Sequence, residues 1–274
     1  MDGIINVYKE AGFTSHDVVA KLRGICRQKK IGHTGTLDPQ ATGVLPVCLG
    51  SATRACEMLT DRTKEYVAEL LLGKITDTQD TTGTVLEERE VAVDEAQVRQ
   101  VIGSFVGGYD QIPPMYSALK VNGKKLYELA RAGKEVERQA RHVDLPAIEI
   151  LEIRLPVVKF RVECSKGTYI RSLCADIGGK LGCGGTMQSL VRTRVGEFRL
   201  TDALTLTQLQ ELRDTGRLEE ALLPTDRIFA DFNAVHVEEK WRKLIDNGNA
   251  FYPGQTMEQT TYPVGEWVRN GKRP

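Results

Sequence analysis

The segment GHTGTLDPQATGVLP, residues 32–46, gathers three glycines, two prolines, one histidine and a single carboxylate, Asp38. Asp38 precedes Pro39, and a residue before proline is pushed into an extended conformation. Glycines on both sides permit tight bends. Such a loop can present one carboxylate at a cleft in a fixed pose, and an aspartate that is ionised and aimed can act as a nucleophile. Asp-Pro is also common in turns, so the residues alone leave two roles open, a reactive group and a turn cap. A phosphate cradle is rejected, because the glycines fit neither G-x-x-x-x-G-K-[ST] nor G-x-G-x-x-G.

The elements around this loop follow from hydrophobic spacing. Residues 3–8, GIINVY, read as a short buried strand, and TSHDVVAKLRGICRQ as a helix. Thr14 and Asp17 have capping-box spacing, and Val18, Leu22, Ile25 and Cys26 recur at helical intervals. EYVAELLLG, residues 65–73, reads as a buried strand, followed by turn chemistry in TDTQDTTG, which claims Asp77 and Asp80 for the turn. A helix is expected over 93–105. In VVKFRVECS, Val158, Phe160, Val162 and Cys164 alternate with Lys159, Arg161 and Glu163, the pattern of a half-buried strand. GTYIRSLCADIGGKLG reads as a helix with Thr168 as N-cap, and TLTQLQELRDTG as another. Separated helices and alternating strands, without a regular βαβ rhythm, predict an α+β fold with a mixed, mainly antiparallel sheet.

Composition limits the function classes. The chain has 274 residues, 41% hydrophobic and 27% charged, which suits one large domain with a small appendage. The domain boundary is expected near 228–232, giving domains 1–229 and 230–274. No apolar run is long enough to span a bilayer and no signal-peptide layout opens the chain, so a cytoplasmic location is expected. Lys plus Arg equals Asp plus Glu at 37 each, which argues against non-specific coating of nucleic acid but permits local basic surfaces. None of the six cysteines forms C-x-x-C, so reduced, buried thiols are expected. The four histidines are scattered, and no metal motif forms.

GHTGTLDPQATGVLPVCLGSATR, residues 32–54, resembles the signature of TruB-type tRNA pseudouridine synthases of the bacterial type. Further matches follow in order: GFTSHDVV, KEYVAELLLGKITDTQDTTG, PPMYSALKVNGKKLYELAR, CSKGTYIRSLCADIG and LVRTRVGEF. Together they cover roughly residues 3–200. One departure is Glu10, where the family usually has proline. The resemblance implies a pseudouridine synthase sheet with flanking helices, a thumb insertion at about 112–143, and a small C-terminal PUA-like piece that lacks its return strand. It implies isomerisation of the TΨC-loop uridine, tRNA position 55, by base flipping and without a cofactor.

The resemblance also assigns roles. Asp38 would be the essential carboxylate, acting at the ribose or at the uracil ring. Arg171 would pair with it through a planar, bidentate guanidinium. Tyr66 would stack on uracil and pass a proton from C5, and Leu190 would wall the base. His33 would fill the space the flipped base leaves, lowering the unstacking cost. Lys9, Lys120, Lys124, Lys125 and Arg131 would meet RNA. Between 120 and 142, seven cations (also Lys134, Arg138 and Arg141) stand against three glutamates, and Arg23, Arg27, Lys29 and Lys30 precede the Asp38 loop. tRNA is the expected partner and a monomer the expected state. A non-catalytic RNA-binding protein or RNA chaperone on the same fold is the competing reading, and turnover separates the two.

Overall fold

The computed structural model describes residues 1–121, 123–229, 236–249, 255 and 257. The chain divides into two compact units, Met1–Thr225 and Asp226–Pro274.

The first unit opens with β1 (Gly3–Lys9) and α1 (Ser15–Ile25). The capping box forms as expected: the Asp17 amide donates to Thr14 Oγ1 at 3.1 Å and the Thr14 amide to Asp17 Oδ2 at 2.8 Å. There follow β2 (Ile31–His33), β3 (Thr42–Leu49), α2 (Cys56–Thr60) and β4 (Lys64–Leu72). A hairpin of β5 (Lys74–Thr76) and β6 (Val85–Glu88) leads to α3 (Glu95–Gly103) and β7 (Tyr109–Gln111). The insertion that the sequence calls a thumb contains β8 (Lys120–Val121), β9 (Lys124–Lys125) and α4 (Leu126–Arg131). Its root is closed by β10 (Arg141–Val143), which pairs antiparallel with β7. Then come β11 (Ala147–Arg154), β12 (Val157–Cys164), α5 (Ile170–Lys180), β13 (Gly185–Val195), β14 (Phe198–Arg199) and α6 (Leu206–Asp214).

The main sheet has eight strands, six of them in the order β1-β3-β13-β4-β12-β11, with β2 on β3 and β14 on β13. Every pair is antiparallel except β3 with β13. This is the mixed, mainly antiparallel α+β sheet that the spacing predicts. Strict alternation along β4 and β12 buries one face. That face packs Ala68, Leu70, Phe160 and Val162 against Ile102 of α3 and Leu173 and Ile177 of α5. A second cluster joins Ile5, Val7, Leu45 and Val47 to Leu22 of α1 and Leu209 of α6. Each buried aliphatic side chain contributes about 1.5–3 kcal/mol, so both ends of the sheet are anchored independently.

One expected cap is corrected. Thr168 does not cap α5; its hydroxyl donates to the Ser165 carbonyl at 2.9 Å, and Tyr169 stands at the cap. Gln111, from β7, takes the Tyr169 amide instead at 2.8 Å. A long-range side chain thus replaces the local one. In the second unit a 3₁₀ turn, Glu239–Trp241, precedes α7 (Arg242–Asp246). Most of the expected PUA-like piece, including EWVRNGKRP, lies outside the described residues. No helix among the described residues is long and apolar enough to cross a membrane.

Candidate active site

Asp38 lies in the loop between β2 and β3. The loop is held at many points. The Leu37 amide donates to Ser15 Oγ at 3.0 Å, and the Gly12 amide to the Pro39 carbonyl at 2.9 Å. Leu37 and Ala41 are buried in the core beside Tyr66. Gly43 has φ +108, and a Cβ there would overlap the Arg192 carbonyl oxygen. Only glycine fits that close approach of β3 to β13. The glycines and prolines therefore build a rigid platform from which one carboxylate projects.

Arg171, in the first turn of α5, reaches across to it. Nε lies 2.9 Å from Asp38 Oδ2, and Nη2 donates to Oδ1 at 3.3 Å. The guanidinium also donates to the Thr78 carbonyl at 3.0 Å and the Tyr116 carbonyl at 2.8 Å. Its side chain is 6% exposed, whereas that of Asp38 is 38% exposed. The cation is thus fixed inside and the carboxylate is presented outward, with one oxygen on Nε and the other on Nη2.

Tyr66, on β4, is buried in the same core cluster as Leu37 and Leu190. Burial pushes its phenol up; Arg192 opposes that push, and Asp38 adds to it. Leu190 lies on β13 in register with Ala68 of β4. His33 ends β2, and its ring meets that of His16 edge-on at 5.3 Å between centroids. Burial pushes the His33 imidazole down, and the charges of His16 and Arg192 push the same way, which favours a neutral ring.

Lys9 needs correction. It is 0% exposed, and Nζ donates to the carbonyls of Glu10, Pro39 and Ala41 at 3.0, 2.9 and 2.6 Å. It cannot meet RNA from there; it braces the Asp38 loop from beneath. Burial pushes its ammonium down to about 8. Lys120, Lys124 and Arg131 are exposed on the thumb, while Lys125 folds over the Tyr127 ring at 5.3 Å.

Sequence reasoning missed three neighbours. Asp80 holds its turn as expected, taking the Thr82 amide at 3.0 Å, but its Oδ2 also lies 3.8 Å from Arg171 Nη1. Tyr169 flanks Arg171 in the chain; burial pushes its phenol up, and both Arg171 and Asp38 act on it. Arg192 is buried behind the loop. LVRTRV carries both Arg192 and Arg194, so the sequence held no signal that singled Arg192 out. Among the described residues no group of three His, Cys, Asp or Glu side chains is placed to hold a metal, and all six cysteines are free.

Comparison with known proteins follows from this geometry. The N-terminal domain profile of the TruB family pseudouridylate synthases matches residues 23–170, and the C-terminal domain profile of tRNA pseudouridylate synthase B matches 171–230. The chain is 56% identical over 257 residues to a tRNA pseudouridine synthase B of Lachnoclostridium phytofermentans, covering 91% of this chain and 84% of that protein. It is 48% identical over 268 residues to the enzyme of the same name from Alkaliphilus oremlandii, covering 98% and 89%. An H/ACA ribonucleoprotein structure with a bound substrate RNA containing 2′-deoxyuridine superimposes with a TM-score of 0.73 at 30% identity. The match covers 93% of this chain and 69% of that one.

Proposed function

The chain belongs to the TruB family of pseudouridylate synthases, and on that premise we propose that it isomerises the TΨC-loop uridine of tRNA, position 55, with Asp38 as the essential carboxylate. The observation that carries this reading is the bidentate Arg171–Asp38 pair on the rigid loop. A guanidinium with both carboxylate oxygens in its fork fixes the direction of the carboxylate. Relatives named for tRNA pseudouridine formation support tRNA as the substrate.

The chemistry runs from these residues. A uridine in a folded loop must leave its stack to be reached, at a cost of a few kcal/mol. The neutral His33 ring, at the end of β2 and a few residues before Asp38, offers a replacement stacking partner in the RNA. The extruded uracil meets Tyr66 and Leu190. Asp38 acts either at C1′, at the C2′ proton or at the uracil ring, and the N1–C1′ bond breaks. The uracil turns and C5 bonds to C1′. C5 then loses its proton, for which the Tyr66 oxygen in its phenolate form is the acceptor, and N1 gains one from solvent. Atoms and charge balance without redox change, so the reaction needs no cofactor. Lys120, Lys124, Lys125 and Arg131 carry the thumb's contact with phosphates, and the protein acts as a monomer.

Tritium release from a TΨC stem-loop labelled at uracil C5 tests the reading. The native protein is expected to release tritium. Asp38→Ala is expected to bind the RNA and release none. RNA binding by both proteins with no release by either would leave an RNA-binding module, and the enzyme reading would fall.

A further inference from the structure

Among the described residues Arg192 is the largest fully buried side chain, at 1% exposure. It stands in a row crossing four strands: Lys9, Gly43, Arg192 and Tyr66 are successive register partners on β1, β3, β13 and β4. Register partners project from the same face of a sheet. Gly43 adds no side chain to the row, so the two cations and the phenol share the space beneath the Asp38 loop.

Two properties of Arg192 exceed what core filling requires. First, it ties both legs of the loop. Nη2 donates to the Gly35 carbonyl at 3.3 Å, upstream of Asp38, and Nε to the Val44 carbonyl at 2.7 Å, downstream. Second, its charge is not neutralised locally: among the described residues no carboxylate forms an ion pair with it. A buried cation without a counter-charge is costly to retain. Its positive field is felt by Lys9, Lys64, His33, Tyr66 and Cys164. The first three are bases that the field disfavours in their charged forms. The last two are acids whose anions it favours, and of these Tyr66 is the register partner of Arg192. The charged and titratable groups acting on that phenol are Arg192 from β13, Cys164 from β12 and Asp38 from the loop.

We propose that Arg192 is a positioning residue for pseudouridine formation: it holds the Asp38 loop by both legs and favours the phenolate of Tyr66, the form whose oxygen takes the uracil C5 proton. The inference rests on the function proposed above. In that step the Tyr66 phenol has first given its proton to solvent; the C5–H bond then breaks, its electron pair restores the ring double bond, and the proton passes to the phenolate oxygen. Asp38 is aimed by Arg171 from the front and its loop is clamped by Arg192 from behind.

The test is single-turnover tritium release from the TΨC stem-loop across pH, for the native protein, Arg192→Gln and Arg192→Lys. Circular dichroism checks folding. Arg192→Gln is expected to slow release about a hundredfold at saturating RNA with the RNA affinity within about threefold. The rising limb of its pH profile is expected at higher pH than in the native protein. Arg192→Lys retains the charge but reaches only one leg of the loop. It is expected to recover about tenfold of the loss, with the limb at its native pH. A native rate in Arg192→Gln would overturn the proposal. So would equal losses in both variants with the limb unmoved, because that marks a core residue only. If Arg192→Gln does not fold, Arg192→Lys decides: a slower rate with the native limb supports the proposal, and a native rate or a shifted limb overturns it. Absence of release by the native protein would overturn the pseudouridine reading and the role of Arg192 with it, whereas release by the native protein and a native rate in Arg192→Gln would overturn the role alone.

Discussion

Replacing Arg171 by lysine keeps the charge and removes the fork. In the native protein the guanidinium serves four acceptors: both Asp38 oxygens, the Thr78 carbonyl and the Tyr116 carbonyl. One ammonium on a shorter reach cannot serve them all. The Asp38 oxygen it releases is 38% exposed on its side chain, so water rehydrates it at little cost. The two backbone carbonyls lie around a side chain only 6% exposed, and a buried acceptor left unpaired costs about 1–3 kcal/mol. Two such acceptors sum to roughly 2–6 kcal/mol, and a unit of this size loses about 2–4 °C of melting temperature per kcal/mol. The expected drop is therefore about 4–24 °C. Turnover falls further than stability, because Asp38 can then rotate away from the reacting ribose or base; we expect about a hundredfold loss in kcat. KM should stay within about threefold, since Arg171 touches the carboxylate rather than the RNA. Thermal melts and stem-loop kinetics read both quantities. Native melting together with native kcat in Arg171→Lys would refute the reasoning, since it would mean that the pair neither anchors the loop nor aims the carboxylate.

Other expectations follow from the same geometry. Gly43→Ala should cost more than about 3 kcal/mol in denaturant unfolding, because its φ is +108 and a Cβ meets fixed backbone. Gly12→Ala, at φ +84 with nothing within 4 Å, should cost only about 1 kcal/mol; equal costs would remove the close β3–β13 approach as the cause. Burial pushes Lys9 and Lys64 from 10.5 down to about 8. Below pH 8 native and unfolded chains both carry these protons and the penalty of burying the charge is full. Between 8 and 10.5 the native chain sheds protons that the unfolded chain keeps, so this contribution raises stability with pH. The buried thiols of Cys164 and Cys174 and the phenols of Tyr66 and Tyr109 are pushed up by burial and act oppositely once their unfolded counterparts ionise. Melting temperature should thus hold or rise from pH 8 to about 9 and fall beyond; a steady fall from pH 7.5 would count against it. Neutralising Lys120, Lys124 and Arg131 together should lower the salt slope of RNA binding by about two, at roughly 0.7–0.9 per phosphate contact, leaving kcat at saturating RNA unchanged. Residues 118–140 should exchange amide hydrogen quickly in the free protein, and uniformly slow exchange there would argue against a movable thumb.

Local pattern determined the elements of this protein. Alternation along VVKFRVEC made β12 a half-buried strand, and TSHD carried its own capping box into α1. The Gly-rich run around Asp-Pro announced a rigid loop with one carboxylate, and the order of motifs identified the family. These features depend on neighbours within a few residues, so sequence alone sufficed. What the tertiary structure decided depends on residues far apart in the chain. Lys9 is expected to meet RNA, yet the carbonyls of Pro39 and Ala41 take its ammonium and make it a buried brace. Thr168 reads as a cap, yet Gln111, 58 residues away, takes the Tyr169 amide in its place. Asp80 reads as a turn residue, and only the packing of the β5–β6 turn against α5 brings it to Arg171. Arg192 was invisible as a site residue because its neighbours, Gly35, Val44 and Tyr66, come from three other segments. A charge's role depends on what surrounds it in space, and that becomes defined only when the parallel pair of β3 and β13 closes the sheet.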